Sequence, residues 1–348
     1  MELAYSANAM SAKIMAMFGK RLRDSDYESL LNKKSIGEVA SYLKSQTYFS
    51  SALKDINESA IHRGQLESLI RQDLYARFSR LIRYGGRSEA RREFYHYGLM
   101  EVEVSQILSC VNLIRNQDST AMIAKLPLFL KHHASFDLAN LANVNDFAGL
   151  LKVLQGTDYY QPALPYLSQS PEDIDVPGLE SSLRSVFCQK VLDMIIKKRK
   201  GKDTKALIKV FSTQIELENI VKIYRAKKYF HLSGERIEEV LTPVWCNFSP
   251  KQVHQMVYDM DETQFLDALS HSVYRRYIDP NNFLYIEVHT KKISYDLNTH
   301  NLIYGQDPDL VLQSYLSLAE SEIENIVDIV EGIRYHVPQD VIERLLVR

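Results

Sequence analysis

Gly201-Lys202-Asp203-Thr204 has the ending of a phosphate-gripping loop, in which a glycine-rich backbone wraps the phosphates ahead of a Lys and an adjacent Ser or Thr. Ile196 stands where the upstream glycine belongs, and Asp203 puts a negative charge between the lysine and the hydroxyl, so no nucleotide site is expected. His132, His133 and Asp137 are of metal-ligating types. Adjacent helical side chains point about 100° apart, however, and no His-Glu-x-x-His or Cys-His set completes a shell. The run Lys197-Lys198-Arg199-Lys200 lacks interleaved aromatics and reads as a solvated turn rather than a nucleic-acid contact. Arg87, Arg91 and Arg92 lie beside Glu89 and Glu93 at helical spacing and read as surface pairs. Glu218-Asn219 recurs as Glu324-Asn325, but acid–base work would need a His, Ser or Cys that recurs with it, and none does. The pair reads as a polar row on a packed helix, fixing how repeats meet one another or a partner. No residue is assigned a catalytic, cofactor-binding or metal-binding role.

The elements that hold these residues recur. A segment closing on Ala-Leu runs from Tyr42 to Leu53, again from Val153 to Leu164, and as a shorter echo from Thr263 to Leu269; the closing leucines are 111 and 105 residues apart. A helix beginning at Leu217 (Leu-Glu-Asn-Ile-Val-Lys-Ile-Tyr) recurs from Ile323 and, more loosely, from Val104, at spacings of 113 and 106. Two landmarks with the same long-then-short rhythm indicate three copies of one unit, placed at 1–125, 126–232 and 233–348.

Each copy opens with capped helices. Ser25-x-x-Glu28, Ser35-x-x-Glu38 and Ser249-Pro250-Lys251-Gln252 have the spacing at which a hydroxyl and a side-chain carbonyl oxygen satisfy opposite orphan amides. Ser135, Asn143 to Asp146 and Ser233 mark further starts. Longer helices follow. Leu66, Ile70, Leu74, Phe78 and Leu81 form an apolar stripe with Arg71, Arg77, Arg80 and Arg83 largely off it, and Leu179, Leu183, Val186, Phe187, Val191 and Ile195 form another. Turns are expected at Tyr84 to Ser88, Pro162 to Pro177 and Asp279 to Asn282. Phe283 to Val288 reads equally as a strand or as the start of a helix. The fold class is all-α.

Composition narrows the function. The chain has 348 residues, with 42 basic against 44 acidic, so no global field draws it onto nucleic acid or an anionic membrane. No window of eighteen apolar residues exists, since Lys125 and Pro127 interrupt Ala121 to Leu130, and Lys13 lies within the apolar N-terminal stretch. A cytoplasmic protein without membrane insertion is expected. Cys110, Cys188 and Cys246 are widely spaced and read as buried thiols.

Tyr5-x-Ala7-Asn8, Asp26-Tyr27-Glu28-Ser29-Leu30-Leu31, Thr157-Asp158-Tyr159 and Glu218 to Lys227, set in a triple repeat of this length, resemble the C subunit of V-type (A/V-type) ATPases, which is similar to the d subunit of the vacuolar enzyme. The resemblance spans almost the whole chain, and no single motif is diagnostic. It implies three similar helical lobes with pseudo-threefold symmetry forming a funnel-shaped socket. It also implies a non-catalytic central-stalk subunit, on the cytoplasmic face, joining the central shaft subunits of the soluble sector to the membrane rotor ring for proton or sodium transport. Ser105-Gln106 replaces Glu-Asn in the first copy, and the basic turn at Lys197 to Lys202 departs from the pattern, so the lobes are expected to differ at their contacts. The residues alone leave two other readings: an all-helical interaction scaffold, and a hydrolase built on Glu218, Asn219 and nearby histidines.

Overall fold

In the computed structural model of the chain, residues 2–82, 89–116, 134–141, 143–198, 202–280 and 283–348 are described, and all their regular structure is helical. The turn at Tyr84 to Ser88, the side chains of Glu89, Arg91, Arg92 and Glu93, the stretch Ala121 to Leu130, His132 and His133, Arg199 to Gly201, Asn281 and Asn282, and the side chains of Tyr5, Ala7 and Asn8 lie outside the described set. The chain divides into two compact units, Met1–Gly86 with Ser270–Arg348, and Arg87–Leu269.

In the first unit, α1 (Glu2–Phe18), α2 (Asp24–Leu31), α3 (Ile36–Gln46) and α4 (Arg63–Ile82) join the C-terminal helices of the chain. The stripe Leu66, Ile70, Leu74, Phe78 and Leu81 of α4 is buried, as its period requires. Arg77 is a correction. By helical angle it falls on that stripe, three residues after Leu74 and four before Leu81, and it is accordingly only 6 % exposed, with charged and hydroxyl groups collected around it. Ser35 caps α3 by accepting from the Glu38 amide at 3.2 Å, while the Glu38 carboxylate accepts from the Lys34 amide at 2.9 Å. The Ser25 cap is displaced. Helix α2 starts at Asp24, and Asp26 instead accepts from the Arg23 amide at 2.7 Å, since a carboxylate is the stronger acceptor at a helix start.

The second unit comprises α5 (Glu89–Arg115), α6 (Leu138–Leu141), α7 (Phe147–Leu154), α8 (Tyr160–Leu167), α9 (Val176–Lys198), α10 (Lys202–Lys228), α11 (Gly234–Val240), α12 (Pro250–His254) and α13 (Glu262–Ser270). Asp146 caps α7 by accepting from the Gly149 amide at 2.7 Å, and Ser249 with Gln252 forms a reciprocal box at α12. The stretch Pro162 to Pro177 is not one connection. Pro162 sits in the first turn of α8 and Pro177 in that of α9, where proline lacks only an amide hydrogen that no partner needs. Helix α9 packs on α5, α8, α10 and α11, with Leu179, Leu183, Val191 and Ile195 buried and Val186 and Phe187 partly so.

Returning to the first unit, α14 (Ile286–Tyr304), α15 (Pro308–Arg334) and α16 (Gln339–Leu345) complete it. The ambiguous segment resolves as chain without regular structure at Phe283 and Leu284, extended backbone at Tyr285 and helix from Ile286. Helix α15 is the hub, packed against α1, α3, α4, α14 and α16. Ile323, Ile326, Ile329 and Val330 are at most 2 % exposed, each contributing about 1.5–3 kcal/mol by burial. A side chain at Gly332 would stand 2.4 Å from Ile342, so glycine there lets α16 lie against α15.

The first landmark is out of register by one residue. Phe49, Tyr159 and Phe265 are all fully buried, and Thr47, Thr157 and Thr263 each stand two residues before them. Thr47 and Thr157 accept from the Phe49 and Tyr159 amides, both at 3.3 Å. The matching residues are therefore the turn threonine and the aromatic, at spacings of 110 and 106, rather than the closing Ala-Leu.

Candidate functional site

One residue before each copy of the second landmark stands a glutamate: Glu103, Glu216 and Glu322, spaced by the landmark's own 113 and 106 residues. They are 2 %, 0 % and 8 % exposed. A buried carboxylate is costly unless donors surround it, and each has them. Glu103 on α5 accepts from the Ser135 amide, from the Ser135 hydroxyl at 3.0 Å and from the Tyr159 hydroxyl at 2.6 Å. Glu216 on α10 accepts from the Cys246 and Asn247 amides at 2.7 and 2.8 Å and from Asn247 Nδ2 at 2.9 Å. Glu322 on α15 accepts from the Leu22 amide at 2.5 Å and the Tyr48 hydroxyl at 2.9 Å. Every one bonds the segment that precedes a short helix: α6, α12 or α2. In each case the landmark helix of one sequence block is tied to an early segment of another, which in the third block follows α11 rather than preceding it.

Three residues further on, Asn219 and Asn325 repeat a second device. Asn219 donates to the Thr242 carbonyl at 2.7 Å and accepts from the Thr242 amide at 3.0 Å. Asn325 does the same with Val347 at 2.7 and 3.0 Å, and also reaches the Tyr27 hydroxyl at 3.2 Å. The side-chain amide thus acts as a piece of backbone, pinning the chain just after α11 and just after α16. The glutamates between have a third task. Glu218 lies 3.6 Å from Arg184 on α9, and Glu324 lies 2.9 Å from Lys291 on α14, each joining a landmark helix to the long helix before it. Burial pushes the Glu218 carboxyl up, against the pull of Arg184 and Lys222.

Glu322 differs in its surroundings. Arg77 Nε stands 3.0 Å from Asp73 Oδ2, its Nη1 donates to the Tyr315 hydroxyl at 3.0 Å, and its guanidinium lies 4.5 Å from the Tyr48 ring centre. Burial raises the Glu322 carboxyl above its usual range, opposed by the Leu22 amide, the Tyr48 hydroxyl and Arg77. Burial and the Glu322 charge together push the Tyr48 hydroxyl well up. A cavity of about 420 Å³ adjoins Glu322, Arg77 and Tyr48, and a second of about 440 Å³ adjoins Arg77 and Tyr48.

Residues 10–345 match the model of the ATP synthase (C/AC39) subunit family. The chain belongs to this family. It is also similar to the C subunit of the A-type ATP synthase of Methanosarcina barkeri (strain Fusaro / DSM 804), 21 % identical over 269 residues that cover 74 % of this chain and 70 % of that one. The family is an accessory, non-catalytic subunit of rotary A/V-type ATPases. The polar row of Glu218-Asn219 and Glu324-Asn325 makes its described bonds and ion pairs inside its own unit. Asn219 is wholly buried with both amide atoms bonded, and the two cavities described lie in the unit of Glu324 and Asn325, lined by neither.

Among the described residues, no group of three or more His, Cys, Asp or Glu is placed to hold a metal ion, and no helix is long and apolar enough to cross a membrane. Cys110 and Cys188 are buried, and burial pushes the Cys110 thiol up to about 11. Cys246 is a correction: it is exposed, because its backbone amide turns inward to Glu216 and leaves the side chain outside. Sequence reading stopped at the Glu-Asn pair, absent from the first copy, and missed the carboxylate two residues earlier that is present in all three. The signal was available, since Glu103, Glu216 and Glu322 share the landmark's spacing. The counterpart of Thr242 and Val347 in the first copy, near residue 129, lies outside the described residues.

Proposed function

We propose that this chain is the non-catalytic central-stalk subunit of a rotary A/V-type ATPase, coupling the soluble rotor shaft to the membrane rotor ring. The observation that carries the reading is the family match over residues 10–345. The blocks 1–125, 126–232 and 233–348 would form three similar lobes around an axis, a funnel-shaped socket on the cytoplasmic face of the ring. The thrice-repeated glutamate supports this. A coupling part has to pass torque without yielding, and carboxylates buried at the same place in each copy tie one block's long helix to an early segment of another block. Close-packed cores around such anchors have little free volume and transmit strain. The chain's own residues then grip, align and resist slip; ATP hydrolysis belongs to other subunits of the complex.

Co-purification tests the assignment. Affinity isolation of the tagged chain from its native membranes is expected to bring down shaft subunits together with the rotor ring. Recovery of an unrelated set of partners would replace the rotary assignment with an interaction scaffold.

A further inference from the structure

The second cavity of the unit Met1–Gly86 with Ser270–Arg348 is lopsided in charge. Lys13, Lys20, Arg77 and Arg80 line it against one acidic residue, Asp73, although the whole chain carries a formal charge of −2. Asp73 is already engaged with Arg77 at 3.0 Å, and the Tyr48 hydroxyl of the same wall is engaged with Glu322 at 2.9 Å. The cations come from two separate stretches of chain, Lys13 on α1 with Lys20 in the turn that ends it, and Arg77 with Arg80 on α4. Convergence from separate elements is not what one solvated helix face produces. Arg77 is 6 % exposed, and its buried Nη2 has no hydrogen-bond acceptor among the described residues. A buried donor of a charged group left unfilled is destabilising unless something fills it.

We propose that this cavity binds a phosphate group, either as the free ion or as part of a lipid headgroup. A tetrahedral anion offers oxygens in several directions, which suits point-charge lysines and guanidinium forks arriving from different elements; a carboxylate offers two oxygens in one plane. At about 440 Å³ the cavity also has room for an organic remainder beyond the phosphate. The inference does not depend on the rotary assignment.

Titration calorimetry of the full chain with inorganic phosphate, at ionic strength held constant with sodium chloride, reads the site directly. Co-sedimentation with phosphatidylglycerol vesicles, against phosphatidylcholine vesicles, reads the lipid source. The variant Lys13→Gln/Lys20→Gln/Arg80→Gln removes exposed charges only, so its fold is expected to persist and is checked by circular dichroism and Tm. Saturable phosphate binding that weakens by about tenfold or more in the variant supports the site. Sedimentation with the anionic vesicles that the variant loses assigns the headgroup, and phosphate binding without sedimentation assigns the free ion. Absence of both responses, responses the variant leaves unchanged, or an equal response to acetate would overturn the proposal.

Discussion

Helices α10 and α15 carry the same anchor to different ends. On α10, Glu216 and Asn219 bond residues 242–247, at most 31 positions away, and so fix a local excursion of the chain. On α15, Asn325 bonds Val347, 22 positions on, while Glu322 bonds Leu22, 300 positions back. The second anchor therefore joins both chain ends to one helix. In the simple loop model, closing about 300 residues rather than about 30 costs about 2 kcal/mol more in chain entropy. A single carboxylate cannot offset that alone, and the packing of α1, α3 and α4 on α15 has to share the work. The repeated device specifies which segments meet, while the apolar faces supply most of the stabilisation.

The local anchor is where the comparison breaks hardest. Glu216→Leu strands two backbone amides and the Asn247 side chain, and should cost about 3–5 kcal/mol in urea unfolding. Hydrogen exchange should then lose protection first at Cys246 and Asn247. Glu322→Leu strands one amide and one hydroxyl and should cost about 3 kcal/mol, with the first loss of protection at Leu22 rather than near residue 246. Equal, unlocalised loss in both variants would mean that the anchors do not specify their segments. Asn219→Leu and Asn325→Leu each remove two backbone-like bonds and should cost about 2 kcal/mol apiece, a matched pair whose inequality would measure the extra Tyr27 contact.

The smallest effect sharpens the contrast by pH. The folded Glu322 carboxyl is raised above its ordinary value of 4.5, so its proton is held more tightly in the folded than in the unfolded chain. The stability it contributes is complete below that ordinary value and is lost as pH rises through the raised folded value. Burial likewise raises Asp73 and Glu320, which lose stability in the same direction. Glu322→Gln should therefore flatten only part of the decline. An unfolding midpoint measured from about pH 4 upward should fall less steeply in the variant than in the parent, and an unchanged slope would remove Glu322 from the account.

Much of the fold was legible in the residues because helical period and capping are local. The stripes of α4 and α9, the Ser35, Ser233 and Ser249 caps and the landmark helices follow from spacing alone. The burial of Arg77 was there to be read from its place between Leu74 and Leu81, but its partners Tyr48 and Tyr315 were not, since nothing nearby in the chain announces that they will meet it. The first landmark slipped by one residue for a related reason. Ala-Leu pairs are alike in sequence, but the members in the core are Leu53, Ala163 and Leu269, in the same register as Phe49, Tyr159 and Phe265, and burial is decided by the partner helix. The anchoring glutamates were visible as a spacing and invisible as a site, because a glutamate on a helix is ordinarily exposed and its burial depends on amides up to 300 residues distant.

The coupling role is tested most directly by assembling the rotary complex with and without this chain, then measuring ATP hydrolysis and ATP-driven ion uptake into vesicles in parallel. Without the chain, hydrolysis by the soluble sector should persist while ion uptake falls to background, and adding the chain back should restore uptake. Uptake that continues at the full rate in its absence would contradict the coupling role.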